Sequence, residues 1–126
     1  MGINETVSQL VRISYKTGEY VGEAIEEDGR RTLVKVLAVL RHPTQGDLHS
    51  EFDPDAPIFH ERKALAYTEK TWVPSQTVKP YGGALPDYPT SLKTALEAEV
   101  ARIDGLRRWA EKCLEKLDEA RKDYKL

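Results

Sequence analysis

Residues 33–40 read LVKVLAVL, and this stretch predicts the centre of the fold. Alternate side chains of a strand point to opposite faces, and here both sets are apolar except for Lys35. A strand buried on one face alone would alternate apolar with polar residues, so this pattern is typical of an interior strand covered on both sides. The stretch is far too short to cross a bilayer. Because proline lacks a backbone N–H, Pro43 should end the strand near His42.

Two shorter patterns before this strand predict an antiparallel meander. Residues 10–15 alternate apolar with polar, which predicts a half-buried strand, and residues 20–26 predict its partner. Gly18 is expected to supply the positive φ of the tight turn between them. An Asp-Gly pair at 28–29 predicts the next hairpin turn. Gly22, inside the second strand, indicates a bulge or the close approach of another segment.

The segment after the central strand predicts a polar loop followed by short strands. Two prolines keep the second half of the loop at 41–57 irregular, and residues 63–68 and 71–74 then read as strands. Pro74 is pre-set to open a 3₁₀ turn before a last strand, which is similar to the ending of an SH3-like barrel. We therefore expect a small SH3-like β-barrel over residues 7–81.

The remainder of the chain predicts helix. A Gly- and Pro-rich linker covers residues 82–89, and Thr90 or Ser91 is a plausible helix cap. Apolar residues then recur at helical spacing, with a break or kink expected at Gly105. The fold class is therefore mainly β with C-terminal helices, the latter forming a helical hairpin or one kinked helix over residues 90–124. The apolar seam of this segment is too long for a small barrel to cover, so it packs partly on the barrel, folds on itself, or pairs with a second copy.

Composition narrows the class of protein. The chain has 126 residues, 19 basic and 21 acidic, and a net charge of −2 with no basic stripe, which argues against a nucleic-acid partner. The single cysteine, Cys113, excludes a disulfide framework. The polar residues 1–10 carry neither a secretory nor a lipoprotein signal. We therefore expect a cytoplasmic protein without direct membrane insertion.

Catalytic motifs are not apparent. His42, His49 and His60 lie close together in sequence with Asp47 and Asp53 among them, but not at the spacings usual for metal ligands. No nucleophile motif or phosphate-binding loop is present. We expect no enzyme activity, no metal and no cofactor, and a small metal-dependent hydrolase at this His/Asp loop is the less favoured alternative.

Aromatic side chains near strand ends suggest a second possible function, peptide binding. They either form a docking groove for Pro-rich peptides, as in a general SH3-like peptide-binding module, or Tyr15, Tyr67 and Trp72 among them fill the barrel interior. The residues concerned are Tyr15, Tyr20, Tyr67, Trp72, Tyr81 and Tyr88.

Five stretches of the chain resemble the kinase-associated protein B family of spore-forming bacteria. They are YKTGEYVGE at 15–23, VLAVLRHPTQGDLH at 36–49, FHERKALA at 59–66, VKPY at 78–81 and DY at 87–88. The resemblance runs from about residue 11 to residue 124, and the HPTQGDLH loop is its most specific part.

This resemblance implies a non-enzymatic accessory protein with an SH3-like barrel and C-terminal helices. It implies support of a membrane-bound sensor histidine kinase that feeds the sporulation phosphorelay, with no catalytic residues to assign. Members are also called lipoproteins, but no lipobox occurs in this sequence. We therefore expect membrane proximity to come through the kinase.

The predicted partner surface is the loop that follows the central strand, together with neighbouring aromatics. A rigid strand ending in a polar loop is a common way to display a recognition surface. The residues are Arg41, His42, Gln45, Asp47, His49, Tyr15, Tyr20 and Phe59. A homodimer through the C-terminal helices is a further expectation.

Overall fold

A computed structural model describes residues 9–126. Residues 7 and 8 of the predicted barrel therefore lie outside the described residues. The elements are β1 (Leu10–Tyr15), β2 (Gly18–Glu27), β3 (Arg31–Arg41), β4 (Lys70–Pro74), a 3₁₀ turn (Ser75–Thr77), β5 (Lys79–Pro80) and a helix α1 (Tyr88–Tyr124). The predicted class, mainly β with a C-terminal helical segment, is confirmed.

The strands form one antiparallel sheet in the order β4-β3-β2-β1-β5. The predicted interior strand is confirmed, because β3 lies between β2 and β4. Val34, Val36 and Ala38 are fully buried, whereas Leu33 and Leu37 of the other set are half-buried. The sheet is not closed, since β4 and β5 are its two edges, so the structure has an open five-stranded sheet where a small SH3-like barrel was expected. After β3, the chain forms a strand, a 3₁₀ turn and a last short strand, in the order that the sequence predicted.

The β1–β2 turn corrects one prediction. The positive φ angles belong to Lys16 (46°) and Thr17 (72°), while Gly18 already lies in β2. A two-residue hairpin turn of type I′ needs positive φ at both central positions, which accounts for this placement. Gly18 is instead needed for space, because a Cβ there would lie 2.5 Å from the Tyr20 hydroxyl oxygen.

Gly22 shows the close approach that the sequence predicted. A Cβ at this position would lie 2.4 Å from Val34 Cγ1 and 2.5 Å from the Lys35 carbonyl oxygen. The β2–β3 register also shifts between Val21 and Gly22. Glycine therefore allows β2 to press against β3 at this bulge.

The strand predicted at 63–68 is wrong. This segment is irregular, and at its end Thr68 N–H donates to the Val36 carbonyl of β3 at 2.7 Å. Two of its other amides bond to side chains: Leu65 N–H donates to the Tyr20 hydroxyl and Ala66 N–H to the Glu69 carboxylate. These side-chain acceptors take the place of a strand ladder.

The helix α1 is a single element of 37 residues, so the helical hairpin is excluded. Gly105 does not interrupt it, because the cost of about 1 kcal/mol for one glycine is small against a helix of this length. The cap, expected at Thr90 or Ser91, was predicted three or four residues too late. Asp87 is the N-cap, and its carboxylate accepts from Thr90 N–H at 3.1 Å.

The start of α1 packs on β3. Ser91 and Ala95 are the buried residues of the helix, and Val39 N–H donates to Ser91 Oγ at 2.9 Å. Leu96, Val100 and Ile103, which follow Ala95 along the helix, are exposed. The sheet therefore fixes the first turns of α1 and leaves most of its length uncovered.

Candidate functional site

A groove of about 1100 Å³ separates the irregular segment after β3 from the first half of α1. We call it the loop–helix groove. Its apolar lining comes from both walls, with Leu48, Phe52 and Phe59 on the loop and Leu96, Val100 and Ile103 on the helix. Each of these six side chains is at least 40% exposed, and Phe59 and Val100 are both 60% exposed. Exposed apolar surface of this kind is typical of protein interfaces, membrane contacts and ligand-binding grooves.

Arg62 holds the loop wall in shape. One of its terminal nitrogens, Nη1, donates to the carbonyls of Thr44 at 2.9 Å and Gly46 at 2.5 Å. Gln45 completes the clamp, because its Oε1 accepts from Arg62 N–H at 2.8 Å and its Nε2 donates to the Arg62 carbonyl at 2.9 Å. Arg62 and Gln45 therefore join the part of the loop at residues 44–46 to the part around residue 62.

Sequence reasoning missed Arg62. It lies inside the FHERKALA stretch that supports the family resemblance, which was the only signal pointing to it. An arginine that bonds backbone carbonyls leaves no mark in hydrophobic periodicity, so pattern analysis had no means of finding it.

Gly46 and Phe59 pack together on the loop side of the groove. Gly46 has φ +93°, a region that glycine adopts without steric cost, and its N–H donates to the His60 carbonyl at 2.9 Å. The Phe59 ring lies 3.1 Å from where a Gly46 Cβ would be. Asp47 fixes the next turn, because its carboxylate accepts from His49 N–H at 2.9 Å.

The structure brings only part of the predicted partner surface together. Four of its members line the loop–helix groove: His42, Gln45, Asp47 and Phe59. Arg41 and His49 do not line it, although both are exposed. Tyr15 and Tyr20 instead contribute to a second pocket of about 590 Å³.

Tyr20 belongs to the core. It is 1% exposed, and burial raises the pKa of its phenol. Its hydroxyl accepts from Leu65 N–H at 3.2 Å, while the Tyr88 hydroxyl donates to the Leu65 carbonyl at 2.5 Å. Tyr20 therefore anchors the segment before β4, and its ring is not available to a partner.

The remaining aromatics are dispersed. Tyr67 packs against Tyr88 with ring centroids 5.7 Å apart. On β4, Trp72 is half-buried beneath the Arg31 guanidinium, 4.9 Å from the ring centroid. These pairings hold the aromatics in separate places.

An ion pair sets the electrostatics of the helix wall. Arg102 bonds Glu99 through Nε at 2.9 Å and Nη2 at 2.8 Å, and this bonding lowers the pKa of the Glu99 carboxyl. The nearby charges of Arg41 and His42 lower that pKa further. Charges of both signs line the groove: Asp47, Glu51, Asp53, Glu61, Glu99 and Asp104, with Arg62, Lys63, Arg102 and Arg107.

The candidate histidines do not gather around acids. Within residues 9–126 no group of three or more His, Cys, Asp or Glu side chains could hold a metal ion. His42 bonds the adjacent residue, with Nδ1 donating to the Pro43 carbonyl oxygen at 3.0 Å. Cys113 is a half-buried free thiol on α1.

Within the same described residues, no helix has the length and apolar character needed to span a membrane.

Comparisons with known proteins agree with one another. A sequence model described as "Kinase associated protein B" matches residues 15–125. The "Kinase-associated lipoprotein B" of Bacillus subtilis (strain 168) is 49% identical over 117 residues, which covers 91% of each chain. A crystal structure of kinase-associated protein B from Bacillus cereus is 43% identical, with a TM-score of 0.67 over 95% of this chain and 97% of that one. The resemblance seen in the sequence is therefore confirmed over nearly the whole chain, and the protein belongs to the kinase-associated protein B family.

Proposed function

We propose that this protein is a non-catalytic accessory factor that binds a protein kinase through the loop–helix groove. The relatives are named for association with a kinase, which supports an accessory role. The single observation that carries the choice of surface is the exposed apolar lining on both walls of the groove. Protein interfaces combine such an apolar centre with a charged rim, and the mixed charges here fit that description.

The proposed partner is the sensor histidine kinase that feeds the sporulation phosphorelay. This choice rests on the family resemblance. The protein works on the cytoplasmic side in this proposal and reaches the membrane surface through the kinase. The Bacillus subtilis relative is named a lipoprotein, which fits a role beside the membrane. A second copy of this chain, held through α1, is the other proposed partner.

The residues expected to touch the kinase are the accessible part of the predicted surface. Phe59 supplies the apolar anchor on the loop wall, and Val100 faces it from the helix. His42 and Asp47 give polar contacts within the groove, while Arg41 and His49 flank the same loop. Gln45 positions the loop rather than contacting the kinase, since its side-chain amide already forms hydrogen bonds with Arg62 and Pro43.

The proposal is tested by titrating the full-length protein into the purified soluble kinase region of each sporulation sensor kinase of the host. We expect one kinase to bind saturably, and Val100→Asp to weaken that binding at least about tenfold, because a charge would have to be buried at the interface. Phe59→Ala should weaken it to a similar degree. Ile25→Asp is the matched control, since Ile25 is also an exposed apolar side chain but lies on β2, outside the groove.

Two results would contradict the proposal. If none of the kinases binds, the accessory role fails. If a kinase binds the wild type and both groove variants equally well, the kinase role stands but the groove is not the docking surface. Circular dichroism of each variant shows that the fold is retained before either conclusion is drawn.

A further inference from the structure

The second half of α1 exposes large apolar side chains that no part of the sheet reaches. Trp109 and Leu114 are each 67% exposed, Leu117 is 63% exposed and Tyr124 is 70% exposed. The buried residues of the helix, Ser91 and Ala95, lie several turns away. A soluble protein rarely leaves so much apolar surface on one helix without a partner.

Two of these side chains, Leu117 and Tyr124, belong to a strict heptad pattern, and Trp109 and Leu114 lie beside it. From residue 103 onwards, small or apolar residues recur at alternating spacings of three and four. Such a repeat is the signature of a helix that packs side by side with another helix. The seam consists of Ile103, Leu106, Ala110, Cys113, Leu117, Ala120 and Tyr124.

Charges beside the seam decide the direction of the partner helix. In a parallel pair of copies, Arg102 would lie next to the partner's Arg107, and Lys116 next to the partner's Arg121, so like charges would repel on both sides. A parallel arrangement of two copies is therefore disfavoured.

In an antiparallel pair with Ala110 opposite the partner's Cys113, the like-charged neighbours are separated and two favourable flanking contacts appear. Arg102 then lies next to the partner's Asp123, and Trp109 next to the partner's Lys116, a cation–π pair. Arg102 uses Nε and Nη2 for Glu99, which leaves Nη1 for this contact. Asp123 has no ion-pair partner within residues 9–126.

We infer that the seam is an interface with a second copy of this chain, the two α1 helices running antiparallel. Leu117 packs on the partner's Leu106, and Ile103 on the partner's Ala120. The small Ala110 and Cys113 at the centre let the helices approach closely. The inference rests on the proposed self-association and gives its geometry.

This geometry has a consequence for the proposed docking site. It places the partner's Tyr124 opposite Glu99, on the helix wall of the loop–helix groove. The C-terminal end of one copy would thus border the groove of the other. The proposed kinase-binding surface and the proposed self-association surface of α1 would then be adjacent.

Sedimentation equilibrium of the full-length protein tests self-association. We expect a wild-type dimer that Leu117→Glu converts to monomer, because the seam would bury an unpaired charge. Ala101→Glu is the matched control: it adds the same charge to an exposed position off the seam and should remain dimeric. A wild-type monomer would overturn the inference, and so would a Leu117→Glu dimer. Kinase titration of that same sample shows separately whether the docking proposal stands.

Cysteine cross-linking tests the direction, in a Cys113→Ala background. The antiparallel register predicts that Leu106→Cys with Leu117→Cys forms an interchain disulfide, since these positions face each other, whereas Leu117→Cys alone does not. Cross-linking of the single variant would show a parallel pair and overturn the antiparallel assignment. A dimer in which the double variant fails to cross-link would overturn it as well.

Discussion

Ser91 joins the helix to the sheet through one hydroxyl that bonds Val39. Val39 N–H donates to Ser91 Oγ at 2.9 Å, and Ser91 Oγ donates to the Tyr88 carbonyl at 2.8 Å. Ser91 is buried, so no water is expected to replace it at the strand. The hydroxyl thus satisfies a backbone donor of an interior strand while the helix supplies the packing.

Replacing Ser91 with alanine should therefore destabilise the fold. The Val39 amide would be left buried without an acceptor, which costs about 1–3 kcal/mol in the free energy of unfolding. Urea denaturation measures this change. Thr94→Ala is the matched control, because Thr94 is an exposed hydroxyl residue one turn further along α1 and should be neutral. Equal stability of Ser91→Ala and the wild type would show that the bond does not hold the helix.

Loss of the Arg62 hydrogen bonds should loosen the loop locally and leave the rest of the fold unchanged. Arg62→Ala removes both bonds to the carbonyls of Thr44 and Gly46, and charged hydrogen bonds contribute about 1.5–3 kcal/mol each. We expect the Gly46 amide to exchange with deuterium at least about tenfold faster, while the amides of β3 keep their rates. Lys63→Ala, next in the same loop, is the control. Unchanged exchange at Gly46 would mean that Gln45 alone orders the loop.

The strands and turns that were predicted correctly are those whose backbone conformation is determined by their own residues. The apolar run at 33–40, the alternation at 10–15 and the Asp-Gly turn each specify their own backbone, and all three are found in the structure. The start of α1 was misplaced because Asp87 was read as part of the linker. The tight turn after β1 was predicted, but its positive φ angles were assigned to Gly18 because glycine is the more familiar source of them, whereas they belong to Lys16 and Thr17.

The candidate site was less accessible to sequence reasoning. Its loop wall depends on Arg62 and Gln45 reaching backbone atoms across the loop, contacts that leave no periodic pattern. Its helix wall was visible as an apolar stripe, but nothing local showed that the loop would stand opposite Val100. The burial of Tyr20 likewise depends on a tertiary contact, the one with Leu65.

Gly105 offers a test of the continuous helix. Nothing lies within 4 Å of where its Cβ would be, and its φ is not positive. Gly105→Ala should therefore stabilise the protein by about 0.5–1 kcal/mol, because glycine loses more backbone entropy in a helix than alanine does. Thermal unfolding followed at 222 nm, in the far ultraviolet, would record a higher midpoint. Gly29→Ala is the contrasting control: its φ of +93° makes alanine strained, so that variant should be destabilised. A loss of stability in Gly105→Ala would point to a kink that the glycine permits.

Glu99 predicts how stability depends on pH. Bonding by Arg102 lowers the pKa of its carboxyl in the folded state. Its contribution is therefore complete above the unfolded value of about 4.3 and is lost as the pH falls through the lower folded value. Glu99→Gln should be less stable than the wild type at pH 7, by up to about 1 kcal/mol for a pair that is partly exposed. The difference should vanish once the wild-type carboxyl is protonated.

Urea midpoints measured from pH 7 to pH 2 separate this effect from a change in packing. Glu97→Gln is the control, since Glu97 is exposed on the same helix and has no ion pair within the described part of the chain. Its stability should follow that of the wild type at every pH. A Glu99→Gln deficit that stayed constant down to the lowest pH would contradict the electrostatic account, because a charge that has been neutralised can no longer stabilise the fold through Arg102.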